Sequence, residues 1–159
     1  VSADRRKTQV AALPFRRQNG LLEVMLITSR ETKRWIIPKG WAQTGRKAHA
    51  TGALEALEEA GVIGKISKQP IGSFRYWKRL SPTQAITCKV QVFPFEVDEQ
   101  LDEWPEKSDR RRCWLPLFQA AHLVADSGLR KLMLKLPQLL QRGKDRGKGQ
   151  DRQDGHSPD

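Results

Sequence analysis

Glu55, Glu58 and Glu59 are the residues best placed to do chemistry. From Thr32 to Phe95 the chain carries eleven Lys or Arg and only these three acids, all within five positions. On a helix, steps of about 100° put Glu58 and Glu59 roughly 60° to one side and 40° to the other of Glu55. The three carboxylates then share a face. Like charges a turn apart repel, and a cation between them removes that cost; oxygen donors of this kind suit Mg²⁺ or Mn²⁺. Zinc fits poorly, since His49, His122 and His156 form no HExxH pair and read as surface or packing residues. The competing reading of the acids is a solvated helix face.

The elements around them are legible as a coarse pattern. Gln9 to Arg16 and Val24 to Ser29 read as strands of one hairpin, with Asn19-Gly20 as the turn signal. Arg34 to Pro38 is a further short strand that ends at a proline. Ala50, Ala53, Leu57 and Ala60 recur at helical spacing and predict a helix that packs by this small apolar face, turns its glutamates outward and stops at Gly61. Ile66 to Trp77 and Ile86 to Val97 read as strands, and Asp98 to Asp109 as a loop with six acids, followed directly by Arg110, Arg111 and Arg112. Trp114-Leu115 is a last short strand. Leu117 to Val124 and Leu129 to Leu140 are helical, the second with a core stripe of Leu129, Leu132, Met133, Leu136 and Leu140.

With these residues in view, the chain resembles a known family. Gly40, Glu55, Glu58, Glu59, Gly61 and Val62, in GWAQTGRKAHATGALEALEEAGV, are similar to the box of the Nudix (MutT-like) hydrolases, and the 23-residue spacing fits without a gap. The order of strands over about Gln9 to Leu140 is similar as well. Pro38-Lys39-Gly40, Arg34-Trp35 and the Trp-bearing acidic loop resemble relatives acting on diphosphoinositol or dinucleoside polyphosphates. Two positions depart from the pattern: Arg46 stands where the family has its first Glu, and Leu54 where it has an Arg that helps orient the catalytic carboxylates.

The resemblance implies an α/β protein, an α/β/α sandwich around a mixed sheet. It also implies metal-dependent cleavage of a phosphoanhydride bond in a nucleoside or inositol polyphosphate. It carries Glu58, Glu59 and the Gly40 carbonyl over as ligands of Mg²⁺ or Mn²⁺, and Glu55 as a ligand or as acceptor of a proton from the attacking water. A later carboxylate often assists, for which Glu103 and Glu106 are equally placed. Arg34, Lys39, Arg75 and Lys78, with Arg79 and Lys89, are the expected basic rim for distal phosphates.

The 159 residues make one domain, expected over 9–141, after a polar segment 1–8 and before a disordered polar tail 142–159. With 29 Lys and Arg against 18 acids the net charge is +11, and residues 142–159 hold five bases and four acids, so the body itself is basic. Such a surface suits phosphorylated metabolites or RNA. No apolar run is long enough for a membrane span, and Val1 to Gln9 lacks the apolar centre of a signal peptide, so a cytoplasmic protein is expected, with Cys88 and Cys113 as buried thiols. GWAQTGRK nearly matches a phosphate-cradling GxxxxGK[ST] loop, but Arg46 takes its Lys position and Lys47 its Ser/Thr position. The alternative function is a Nudix-like module that binds a nucleotide or RNA without turning it over. The glutamate cluster argues against it, because a pure binder has no use for repelling carboxylates.

Overall fold

A computed structural model describes residues 7–153, with side chains through 143. Strands β1 (Thr8–Gln18) and β2 (Leu21–Thr28) form the expected hairpin. Asn19 (φ 53°) and Gly20 (φ 76°) both take left-handed backbone, the two-residue turn whose twist matches the flanking strands. The strands pair only from Phe15–Gln18 to Leu21–Val24. Beyond that they part: Gln9–Ala11 of β1 pairs with β4 (Lys39–Trp41), and the far end of β2 pairs with β3 (Trp35–Ile36). The segment from Trp35 to Trp41 therefore sits in the opening of a fork. Pro38 lies between its two short strands, where a missing N–H breaks no ladder, and its carbonyl accepts from the Ala12 N–H at 3.0 Å.

The long strand β7 (Gln84–Gln100) runs parallel to β1, and its other edge is shared by β6 (Gly72–Ser81) and β5 (Val62–Ile66). β8 (Arg112–Pro116) pairs with β2 and completes one mixed sheet of eight strands. The single strand expected over Ile66 to Trp77 is thus two. Ile66 ends β5 beside Phe95 and Gly72 opens β6 beside Val92, so the chain must step along β7 through the Pro70-containing connection.

Alternation along the strands makes two cores. Ala11, Leu13, Phe15, Val24 and Leu26 pack on α2 (Leu117–Leu123) and on Leu129, Leu132, Met133 and Leu136 of α3 (Ser127–Gln153). Ala12, Met25, Ile27 and Phe95 pack on Ala56 and Ala60 at the other face. This is the expected α/β/α sandwich. Helix α3 runs through Gln153, past the boundary expected at 141; extending a helix already held by its packed first turns is far easier than nucleating one. Residues 154–159 of the expected tail, and 1–6, lie outside the described residues. Among the described residues, no helix is long and apolar enough to cross a membrane.

Helix α1 (Ala48–Glu55) carries the first glutamate and continues as a π-helical turn, Ala56–Ala60, that carries the other two. Gly61 ends it at φ 66°. Its packing face differs from the wheel. Thr51, Gly52, Ala56, Glu59 and Ala60 are buried, whereas Ala50 is exposed. Gly52 marks the true contact line, since a Cβ there would lie 3.1 Å from Ile66 and 3.4 Å from Val10. Past Glu55 the wider turn changes the angular step, which the wheel holds constant. The glutamates are consequently not all outward: Glu59 is 6% exposed.

Candidate active site

Glu59 is held at the mouth of the fork. Its Oε2 accepts from the Lys39 backbone N–H at 3.2 Å, and its Oε1 pairs with Arg110 Nη2 at 3.3 Å. Burial raises its pKa to about 7, and the Arg110 charge and the Lys39 N–H only partly offset that. The Glu55 carboxyl is also raised, first by burial and then by the neighbouring Glu58 and Glu106 carboxylates, against the pull of Arg110 and Arg46. Glu55 lies directly against Gly40, where any Cβ would overlap its carboxylate. Among the described residues neither Glu55 nor Glu58 has an ion-pair partner.

The acidic loop, Leu101 to Arg111, closes over the end of this helix. Trp104 Nε1 donates to the Glu59 carbonyl at 3.2 Å, and the Glu106 N–H to the Glu58 carbonyl at 3.0 Å. Arg112, stacked 3.9 Å from the Trp104 ring centre, donates to the carbonyls of Ala60, Gly61 and Leu101. A cation at these terminal carbonyls also suits the helix dipole. The two acids that spacing leaves equal differ in their surroundings. Glu106 enters the carboxylate group, bonded to Arg110 Nε at 3.0 Å and Arg30 Nη2 at 2.6 Å; Glu103 stays in solvent with Lys107. Sequence reasoning treats Arg110 to Arg112 as one basic run, but the path of the chain into β8 splits it. Arg110 and Arg112 turn inward to the site, while Arg111 is exposed.

The expected basic rim comes together only in part. Lys39 and Lys78 lie with Tyr76 and Trp41: Lys39 Nζ is 5.5 Å from the Tyr76 ring centre and Lys78 Nζ 5.8 Å from that of Trp41. Tyr76 donates to Gln9 Oε1 at 2.5 Å. Burial lowers the Lys39 pKa, opposed by the Glu59 charge. Arg75 alternates with Tyr76 on β6 and so occupies the opposite sheet face, as do Lys89, its neighbour across the pair, and Arg79. Arg34 closes the turn after β2, where its N–H donates to Ser29 Oγ at 2.9 Å, and its side chain is in solvent. An open cleft of about 540 Å³ beside Arg110 is lined by Trp35, Lys33, Lys107 and Arg111 among others. Its lysines, Lys33 and Lys107, carry no local sequence signal of a binding role.

The donors are chemically right for a hard divalent cation: carboxylates, a nearby main-chain segment at Gly40, and a buried Glu59 whose charge its neighbours do not fully offset. Among the described residues, however, no three carboxyl, imidazole or thiol groups converge at metal-binding distance, and Arg110 stands between Glu59 and Glu106.

No family model matches the chain. Curated relatives do: it is 34% identical over 107 residues to Nudix hydrolase 13, mitochondrial, of Arabidopsis thaliana, a match covering 64% of this chain and 53% of the relative. It is 28% identical over 120 residues to diphosphoinositol polyphosphate phosphohydrolase 3-alpha of Mus musculus, covering 74% and 69%. The fold agrees with a C. elegans Ap4A hydrolase at a TM-score of 0.63 and 17% identity, covering 84% of this chain and 96% of that one. These matches make the chain similar to Nudix hydrolases in sequence and in fold. The segment similar to the family's box, Gly40 to Val62, contains α1 and the π-helical turn. The chain spans about half the length of the plant relative, 53%.

Proposed function

We propose that this protein is a metal-dependent Nudix pyrophosphohydrolase acting on a nucleoside or inositol polyphosphate. The observation that carries this reading is Glu55 pressed against Gly40, a residue that has no side chain, under the electrostatic influence of Glu58 and Glu106, with Glu59 held at the adjacent Lys39 N–H. The curated relatives' names, which include hydrolases and a diphosphoinositol polyphosphate phosphohydrolase, support the same class of chemistry.

Glu58, Glu59 and the Gly40 carbonyl are the proposed ligands of Mg²⁺ or Mn²⁺, joined by Glu106 from the loop. An ion held by these residues would supply polarisation of the scissile phosphoryl group and a lowered pKa for the attacking water. Glu55, half-buried with a raised pKa, takes the proton of that water or adds a ligand. Lys39 and Lys78 hold distal phosphates, and Tyr76 and Trp41 provide aromatic surface beside them. Arg34 and Arg75, both exposed, serve at most as outer contacts. A cytoplasmic setting goes with this reading on the strength of two free thiols, Cys88 and Cys113, although the plant relative is named mitochondrial.

Product analysis tests it. The panel is dinucleoside polyphosphates, diphosphoinositol polyphosphates, nucleoside diphosphate sugars, NADH and capped or triphosphorylated RNA, each with Mg²⁺ or Mn²⁺. Cleavage of at least one polyphosphate, abolished by chelation, is the expected result. Tight binding of RNA with no turnover of any compound would favour the binding-module alternative.

A further inference from the structure

The box-like segment of this chain lacks a guanidinium where the family pattern has one, at Leu54, and yet the carboxylate it would serve is not loose. A side chain at position 54 lies four residues before Glu58 and five before Glu59. On an α-turn that widens into a π-turn these are its neighbours along the helix. Leu54 offers them no donor. Glu59 is instead fixed from across the site, by the Lys39 N–H on one oxygen and by Arg110 on the other.

We propose that Arg110 is a positioning residue that performs, from the acidic loop, the task of the arginine missing at Leu54; this rests on the metal-hydrolase reading above. Three of its nitrogens are spent on three different elements: Nη2 on Glu59 of the glutamate-bearing helix, Nε on Glu106 of the loop and Nη1 on the Thr28 carbonyl at the end of β2. Only a planar fork satisfies three acceptors so disposed, and Arg110 is just 10% exposed, so its rotamer is set by packing as well as by charge. It leaves further lone pairs free on Glu59, since an ionised carboxylate offers about four. The loop does not depend on Arg110 for its place, because Trp104 and Arg112 anchor it separately to the Glu59, Ala60 and Gly61 carbonyls. Replacing Arg110 therefore removes orientation at Glu59 without removing the loop.

The experiment compares the wild-type chain with Arg110→Ala, Arg110→Lys and the double variant Leu54→Arg/Arg110→Ala. Mn²⁺ uptake is followed by titration calorimetry with MnCl₂, and kcat and KM are measured on whichever polyphosphate the wild type cleaves. Arg110→Ala is expected to weaken Mn²⁺ binding and lower kcat by about 10- to 100-fold, the usual cost of losing a group that orients a metal ligand, with KM little changed. Arg110→Lys retains the charge but not the fork, and most of the defect with it. Leu54→Arg restores the greater part of both quantities. Should Arg110→Ala fail to fold, Arg110→Lys with and without Leu54→Arg makes the same comparison. Unaltered or tighter Mn²⁺ binding in the Arg110 variants would overturn the proposal, as would a folded double variant with no recovery. A wild-type chain that takes up no Mn²⁺ and cleaves nothing would overturn the hydrolase reading together with it, whereas an active wild type with indifferent Arg110 variants overturns this proposal alone.

Discussion

Gly40 and Glu55 form one feature: the carboxylate occupies the space that a Cβ at position 40 would fill. Gly40→Ala must therefore push Glu55 aside. Its backbone is not in the left-handed region, so little conformational strain follows. We expect turnover to fall about tenfold or more through misplacement of the carboxylate, with the thermal midpoint nearly unchanged. An active Gly40→Ala protein would show that Glu55 has no exacting position. The thiols behave differently from the carboxylates. Cys88 is fully buried beneath Tyr76, and burial raises its pKa further, so it should resist iodoacetamide in the folded protein and react only on unfolding. Rapid labelling of Cys88 under native conditions would contradict its placement.

The glutamate-bearing helix depends on how it ends. Gly61 combines a left-handed φ with a close approach to the Trp104 ring, which a Cβ would meet at about 2.6 Å. Gly61→Ala should cost about 1–2 kcal/mol through the backbone alone, and more through displacing Trp104. Urea unfolding measures this, and an unchanged stability would mean that the loop does not cap the helix as described. The sequence makes this helix, its glutamates and its Gly61 terminus legible, because spacing and a stop signal are local properties. It does not reveal which face is buried. Ala50 and Leu57 are apolar and turn the wheel away from the true face, while Gly52, which has no hydrophobicity to count, is the residue that lets β1 approach. The same limit applies to Glu106 and Glu103, three residues apart in one loop. Only the Arg110 and Arg30 partners, distant in sequence, separate them.

Across the molecule, the central strands and the two-sided core follow from the continuous apolar runs of β1 and β2, which mark strands covered on both faces. Pairing partners were less legible: the division of one β7 edge between β5 and β6 is a long-range choice that hides the break between Ile66 and Gly72. The basic body, net charge +11, is expected to act through the cations that the fold collects, Lys39 and Lys78, more than through scattered ones such as Arg34. Raising salt from about 50 to 200 mM should therefore increase KM for a dinucleoside polyphosphate well beyond that for a nucleoside diphosphate sugar, because each added phosphate contact is screened. Equal salt dependence would argue for a short diphosphate substrate. The central claim is that the buried glutamate, with its neighbours, holds the ion on which hydrolysis depends. Its most direct test is Mg²⁺-dependent turnover of Glu59→Gln beside the wild type, on the same polyphosphate and with folding checked by circular dichroism. We expect a folded protein slowed by about a hundredfold or more. A folded Glu59→Gln variant with wild-type turnover would contradict it.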